Sequence, residues 1–179
     1  MLALANAGGD TINAIKAARE FGITKTMKVA GLLVFINDVH SLGLATTEGL
    51  QLADSWYWNQ DDASRKFSTR FFAKYKRMPS SLQAADYSAA TNYLKAVQTA
   101  GTTDGDKVMS TLKSMKLDDF YGKGQIRADG RRIHDMYLFE VKNSKESITP
   151  WDYYKTIAKV PGEQAFATVA ESKCSLLKK

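Results

Sequence analysis

Two kinds of hydrophobic patterning alternate along this chain. An apolar run at the start (LALA, residues 2–5) breaks at Gly8 and Gly9, and Ile12, Ile15, Ala18 and Phe21 then recur at helical spacing up to Gly22. Lys16, Arg19 and Glu20 fall on the outer side of that helix. The pattern predicts a buried strand turning directly into an amphipathic helix, with Asp10 or Thr11 as its cap. Residues 28–35 (KVAGLLVF) are continuously apolar, as suits a strand covered on both faces in a parallel sheet. A polar break from Asn37 to Ser41 precedes a short helix ending near Thr46, and residues 49–58 (GLQLADSWYW) predict a third strand. The first sixty residues therefore read as βαβαβ. Their strand-to-helix loops, 6–11 and 36–41, are expected to open on the same edge of the sheet, where ligands bind in open α/β folds.

Three helices follow. Asp61 and Asp62 can cap the first, which carries Phe67, Phe71, Phe72 and Tyr75 along one side and stops before Pro79. The second, residues 84–100, places Tyr87, Ala90, Leu94 and Val97 on one face and closes at Gly101. The third, residues 104–115, turns Val108, Leu112 and Met115 inward. A three-stranded sheet covered by its own helices offers these faces nothing obvious to lie against. The pattern then becomes two-residue: residues 124–127, an Asp129-Gly130 turn and residues 133–141 read as a β-hairpin. Residues 151–158 (WDYYKTIA) predict one more strand, and the remainder is a polar tail.

Composition narrows the function classes. Of 179 residues, 44% are hydrophobic and 25% charged, so a folded chain is expected. The net charge of +6 is spread along the sequence, and its densest group (Arg65, Lys66, Arg70, Lys74, Lys76, Arg77) reads as one solvated helix face rather than a nucleic-acid surface. Cys174 is the single cysteine, which excludes an intrachain disulfide and a paired-cysteine zinc site. No apolar run reaches the roughly 20 residues of a membrane-spanning helix. No catalytic residue, metal ligand set or cofactor motif emerges: Gly8-Gly9 lacks the dinucleotide pattern, and neither a nucleophile elbow nor a phosphate loop is present.

The order ANAGGDTINAIKAAREFG (5–22), GLLVFINDVHSLGLATTEGL (31–50), FFAKYKRMPSSLQAADYSAATNYLKAV (71–97) and YGKGQIRADGRRIHDMYLFEVK (121–142) resembles the C-terminal half of the periplasmic substrate-binding proteins of branched-chain amino-acid-type ABC transporters, the type I periplasmic-binding fold. The ends WDYYKTIAKVPGEQAF (151–166) and ESKCSLLKK (171–179) are similar to one branch of that family. The resemblance implies a three-layer α/β lobe, a parallel sheet with flanking helices, together with helices of an incomplete first lobe. It implies residues 1–60 as the first part of the second lobe, 61–118 as the first-lobe helices, and 119–179 as the return to the second lobe. With the other half absent, the aromatic helix faces are expected to stay partly exposed, favouring a homo-oligomer or domain swap. A periplasmic location, a small-molecule ligand and an ABC permease partner are implied in the same way.

On that template the ligand-binding candidates are Asn6, Ala7, Gly8, Gly9, Asp10 and Thr11 on the first loop, Phe35, Ile36, Asn37, Asp38 and His40 on the second, and Tyr87, which matches a family tyrosine near the hinge. Asp10 and Asp38 also read as plain helix caps, and His40 as a helix-start residue satisfied by backbone. His134, in the hairpin, is not a candidate. Amino-acid-binding members hold the ligand ammonium with an acid and a tyrosine, whereas this chain carries Ala7 at the tyrosine position and Leu32 to Phe35 around the acid. That departure favours an organic or aromatic carboxylate over an amino acid. The rival readings are branched-chain or other amino-acid binding, a ligand-sensing regulator, a truncated product that binds nothing, and an enzyme using Asp10, Asp38 and His40 as acid/base groups.

Overall fold

The computed structural model describes residues 1–175 and residue 177; Leu176, Lys178 and Lys179 of the terminal segment lie outside the described residues. The elements are, in chain order, β1 (Leu2–Leu4), α1 (Gly9–Glu20), β2 (Val29–Gly31), α2 (Ile36–Leu42), α3 (Leu44–Thr47), β3 (Gln51–Asp54), α4 (Asp62–Tyr75) and α5 (Ser81–Ala100). There follow α6 (Gly105–Ser114), β4 (Lys116–Asp119), β5 (Gly122–Ile126), β6 (Arg132–Ile133), β7 (Met136–Val141), β8 (Tyr154–Val160) and α7 (Gly162–Ala165). They divide into two compact units: residues 1–81 with 137–159, and residues 82–136 with 160–179.

The first unit is an α/β fold around a five-stranded sheet of order β1-β2-β3-β7-β8. The expected βαβαβ order holds, with β1, β2 and β3 parallel, but β7 joins antiparallel to β3, so the sheet is mixed. Ile15 and Ala18 of α1 and Val39 of α2 pack on Leu4, Val29 and Leu52 of the strands, and Phe139 and Tyr154 extend this core across β7 and β8. α4 begins on Asp61, whose carboxylate accepts the Ser64 amide at 2.7 Å. It belongs to the same unit: the Trp56 indole donates to Ser64 Oγ at 2.9 Å and meets Phe67 edge-on.

The second unit holds α5, α6, α7 and a three-stranded antiparallel sheet, β4-β5-β6. α4 goes with the large sheet, where its Ser64 and Phe67 are buried against Trp56 while Phe72 and Tyr75 stay exposed, and β4 to β6 go with α5 and α6.

Five sequence expectations are corrected by packing. The run 28–35 is not one strand: β2 ends at Gly31, Leu32 and Leu33 are 58% and 51% exposed, and the chain folds back so that Val34 lies where a Cβ on residue 31 would come within 2.3 Å of it. The run 49–58 likewise stops being strand at Asp54, and Trp56 and Tyr57 are buried from a loop. Residues 133–141 are split between two sheets, with Ile133 paired to β5 and Leu138 and Phe139 to β3. Most consequentially, α5 buries Ser81, Ala84, Ser88, Asn92 and Ala96, while Tyr87 and Leu94, expected to face inward, are 49% and 65% exposed. In α1, Phe21 is also outside, 82% exposed just beyond the last turn.

Candidate functional site

The register Leu2 to Val29 and Leu4 to Gly31 aligns the carboxyl ends of β1 and β2, and the parallel pairing of β2 with β3 brings the end of β3 to the same edge. Loop 5–8, loop 32–35 and residues after Asp54 therefore leave the sheet together. The second loop lies earlier than expected, since residues 36–41 are already α2. Chain connectivity places Ala7, Gly8, Leu32, Leu33 and Phe35 at this edge.

The first loop is built around Gly8, whose φ of 58° and ψ of −133° disfavour a side chain, and around Gly9, the first helical residue; a Cβ on either would meet open space. Neither Asp10 nor Thr11 caps α1, because the helix starts before them. Thr11 is buried and its hydroxyl donates to Asn6 Oδ1 at 3.2 Å, so this pair braces the turn. Asp10 is exposed in the first turn, where its charge suits the positive end of the helix dipole.

In the second loop Asp38 accepts the Phe35 amide at 2.9 Å, satisfying the start of α2 from inside its first turn. Ile36 is buried in the core. Asn37 Oδ1 is buried with no hydrogen-bond partner among the described residues. His40 lies in the last turn of α2 rather than at the strand end; its ring stacks on Trp151 at 3.8 Å and its Nδ1 lies 2.7 Å from the Tyr153 hydroxyl. The backbone there is strained, with Trp151 at φ 69°, and it is held by its carbonyl accepting from Tyr57 Oη at 3.0 Å and Trp58 Nε1 at 2.8 Å. His40 is thus part of an aromatic clasp on the 150s loop. Tyr87 lies in the second unit, with its ring edge-on to Phe120.

Asp54, at the end of β3, was not singled out from the sequence. It is buried, accepts the Ser55 amide at 2.7 Å and has a further hydrogen bond with Ser81. Desolvation dominates and pushes its carboxyl up to about 6 against those hydrogen bonds. Tyr154, whose buried hydroxyl has no hydrogen-bond partner among the described residues, is also raised by burial, with the Asp54 charge adding to the effect. A strand-end acid in an apolar segment was the available signal. Among the described residues no group of three or more His, Cys, Asp or Glu is placed to hold a metal ion. No described helix is long and apolar enough to cross a membrane.

A sheet whose parallel strands end together at a glycine-lined, mostly apolar edge is the arrangement of solute-binding lobes. The sequence profile of the periplasmic binding protein family matches residues 1–146, and the chain belongs to that family. Its fold is similar to that of a periplasmic binding protein from Burkholderia mallei (71% identity over 99% of this chain and 47% of that one, TM-score 0.94). It is also similar to a branched-chain amino acid ABC transporter periplasmic ligand-binding protein from Burkholderia xenovorans (43% identity, 97% of this chain and 47% of that one, TM-score 0.88). A solute-binding protein from Rhodopseudomonas palustris, in complex with 3,4-dihydroxybenzoic acid, shares the fold at 20% identity (89% of this chain, 44% of that one, TM-score 0.72). The chain spans about half the length of these structures. Among curated proteins there is no match.

Proposed function

We propose that this chain supplies one wall of the ligand site in a solute-binding component of an ABC importer, non-catalytic and periplasmic, and that the ligand is a small organic or aromatic carboxylate. The observation that carries the ligand class is the chemistry of the sheet edge. Ala7 and Gly8 are exposed at the end of β1, and Leu32 and Leu33 are exposed at the end of β2. Asp38, the nearest acid in the second loop, is engaged by the Phe35 amide. A ligand ammonium set against Ala7, Gly8, Leu32 and Leu33 would lose its hydration with no carboxylate among those residues to receive it, which is unfavourable by several kcal/mol.

In this reading Ala7, Gly8, Gly9, Phe35 and Asn37 face ligand, with Asn37 Oδ1 as an acceptor for a hydroxyl. Asn6, Asp10, Thr11, Asp38 and His40 shape the loops that carry them. The ligand carboxylate would be held by groups outside this chain, and the permease is engaged through the whole protein.

Amino-acid binding is the second reading, favoured by the described function of the Burkholderia xenovorans relative and by the buried acid Asp54. Thermal melts in benzoate, 3,4-dihydroxybenzoate, leucine and glutamate separate the two. A ligand at about 100 times its Kd stabilises by roughly 2.7 kcal/mol, a shift of several degrees for a chain of this size. Benzoate-type acids are expected to give it; a shift with leucine or glutamate and none with benzoates overturns the proposal in favour of the second reading.

A further inference from the structure

The basic group between Arg65 and Arg77 is exposed along α4 and the turn that follows it. Residues 61–77 carry six Lys and Arg against two Asp, so that four of the chain's six net positive charges lie on one helix and its ends. Both acids are engaged: Asp61 accepts the Ser64 amide at 2.7 Å, and Asp62 pairs with Arg65, which also donates to the Asn59 carbonyl at 3.1 Å. Lys66, Lys74, Lys76 and Arg77 have no ion pair among the described residues. Bases at the end of a helix suit the negative end of its dipole, which accounts for Lys74 and its neighbours but not for Lys66 and Arg70 further back.

Two aromatic side chains stand open among these charges: Phe72 is 37% and Tyr75 52% exposed. Tyr75 ends a row of rings that starts in the core. Trp56 meets Phe67 edge-on, Phe67 lies 6.1 Å from Phe71, and Phe71 lies 4.5 Å from Tyr75. The buried inner members hold the outer ring in place at the surface. Lys74 Nζ lies 5.7 Å over that ring. A ring engaged by both Phe71 and Lys74 leaves less face for stacking on a nucleic-acid base, whereas aromatic groups set among lysines are accommodated by the head-group layer of a bilayer.

We propose that α4 and its C-terminal turn form a docking surface for an anionic phospholipid bilayer, with Lys66, Arg70, Lys74, Lys76 and Arg77 at the head-group phosphates and Phe72 and Tyr75 in the interfacial layer. Each cation close to an anionic surface strengthens association about fivefold, and the attraction falls off within a Debye length. The two rings add apolar burial that salt does not screen. The contact is peripheral, since the helix lies on the surface. It rests on neither the ligand class nor the sheet edge, and stands or falls without them.

Co-sedimentation of the full chain with vesicles tests this. At low salt the chain is expected to sediment with vesicles of phosphatidylglycerol and phosphatidylcholine in equal parts but not with phosphatidylcholine alone, and to be released in about 1 M salt, where the Debye length is about 3 Å. Lys66→Gln with Lys74→Gln is expected to weaken binding about 25-fold, fivefold for each charge. Lys95→Gln with Lys107→Gln, which removes the same charge from exposed positions on α5 and α6, is expected to weaken it less than about twofold. Phe72→Ser is expected to weaken binding without changing its salt dependence. The proposal is overturned by equal sedimentation with both kinds of vesicle or with neither, by equal losses in the two lysine pairs, or by full binding in Phe72→Ser. Tighter binding to duplex DNA or polyglutamate than to the vesicles also overturns it, and assigns the surface to another polyanion.

Discussion

Asp54 shows how much one residue's environment adds to its identity. In the sequence it is an acid at the end of an apolar run; in the fold it is a buried carboxyl with no ion pair among the described residues, raised to about 6 from an ordinary 3.8. A folded-state value above the unfolded one means that the neutral form suits the fold. Its contribution is fully present below about pH 4 and is lost as pH rises through 6, a loss of roughly 3 kcal/mol for a shift of about two units. Asp54→Asn keeps the shape and an acceptor for the serines but cannot ionise. The variant is therefore expected to gain stability over the parent between pH 4.5 and 7.5, measured as the difference in urea midpoints. A difference that stays flat across that window would show that burial does not set this group. At the same scale, Asp38 and Thr11 were legible as polar loop residues, but their partners were not, because a hydrogen bond to Phe35 or Asn6 depends on where the helix begins.

Among the elements, α5 is the most instructive. Its apolar positions Tyr87, Ala90, Leu94 and Val97 form a helical stripe, yet the buried stripe is the small and polar one on the opposite side. Asn92 and Ser88 reach Asp119 at 2.7 and 2.5 Å, and Arg132 donates to Ser88 Oγ at 2.7 Å. Burial works against the Asp119 charge, but these hydrogen bonds and Arg132 outweigh it and hold the carboxyl below its usual range. Periodicity located the helix and could not say which side would be covered, because burial is a property of the neighbours. The small sheet makes the same point through Gly124. A Cβ there would fall 2.3 Å from the Ile133 carbonyl oxygen, a backbone atom fixed by the β5–β6 ladder. Gly124→Ala is expected to destabilise by about 1–3 kcal/mol through overpacking. Gly130→Ala meets open space and carries only the strain of a φ of 81°, about 1 kcal/mol. Urea unfolding of the two variants checks that order; equal losses would mean the ladder shifts to make room.

For the whole molecule, the exposed Tyr87 and Leu94 belong to a chain that covers 47% of its Burkholderia relatives. Self-association through that face is the expected behaviour in solution. Replacing Tyr87 with Ser and Leu94 with Lys is expected to lower the sedimentation coefficient of concentrated samples to that of a 19.8 kDa monomer while changing stability by about 0.5 kcal/mol or less. A coefficient that does not move places any contact elsewhere. By itself the sequence determined the order of strands and helices in the first sixty residues, the α/β class and the family. Those rest on periodicity, glycine positions and motif order, which are local in the chain. Only the tertiary structure decided where the apolar runs at 28–35 and 49–58 stop being strands, that residues 133–141 serve two sheets, and that α5 buries its polar side. It also raised the Asp54 carboxyl by burying it. The physical reason is common to all of these: pairing, desolvation and cavity shape are set by groups distant in sequence, and a residue's own identity carries no record of which of them it will meet.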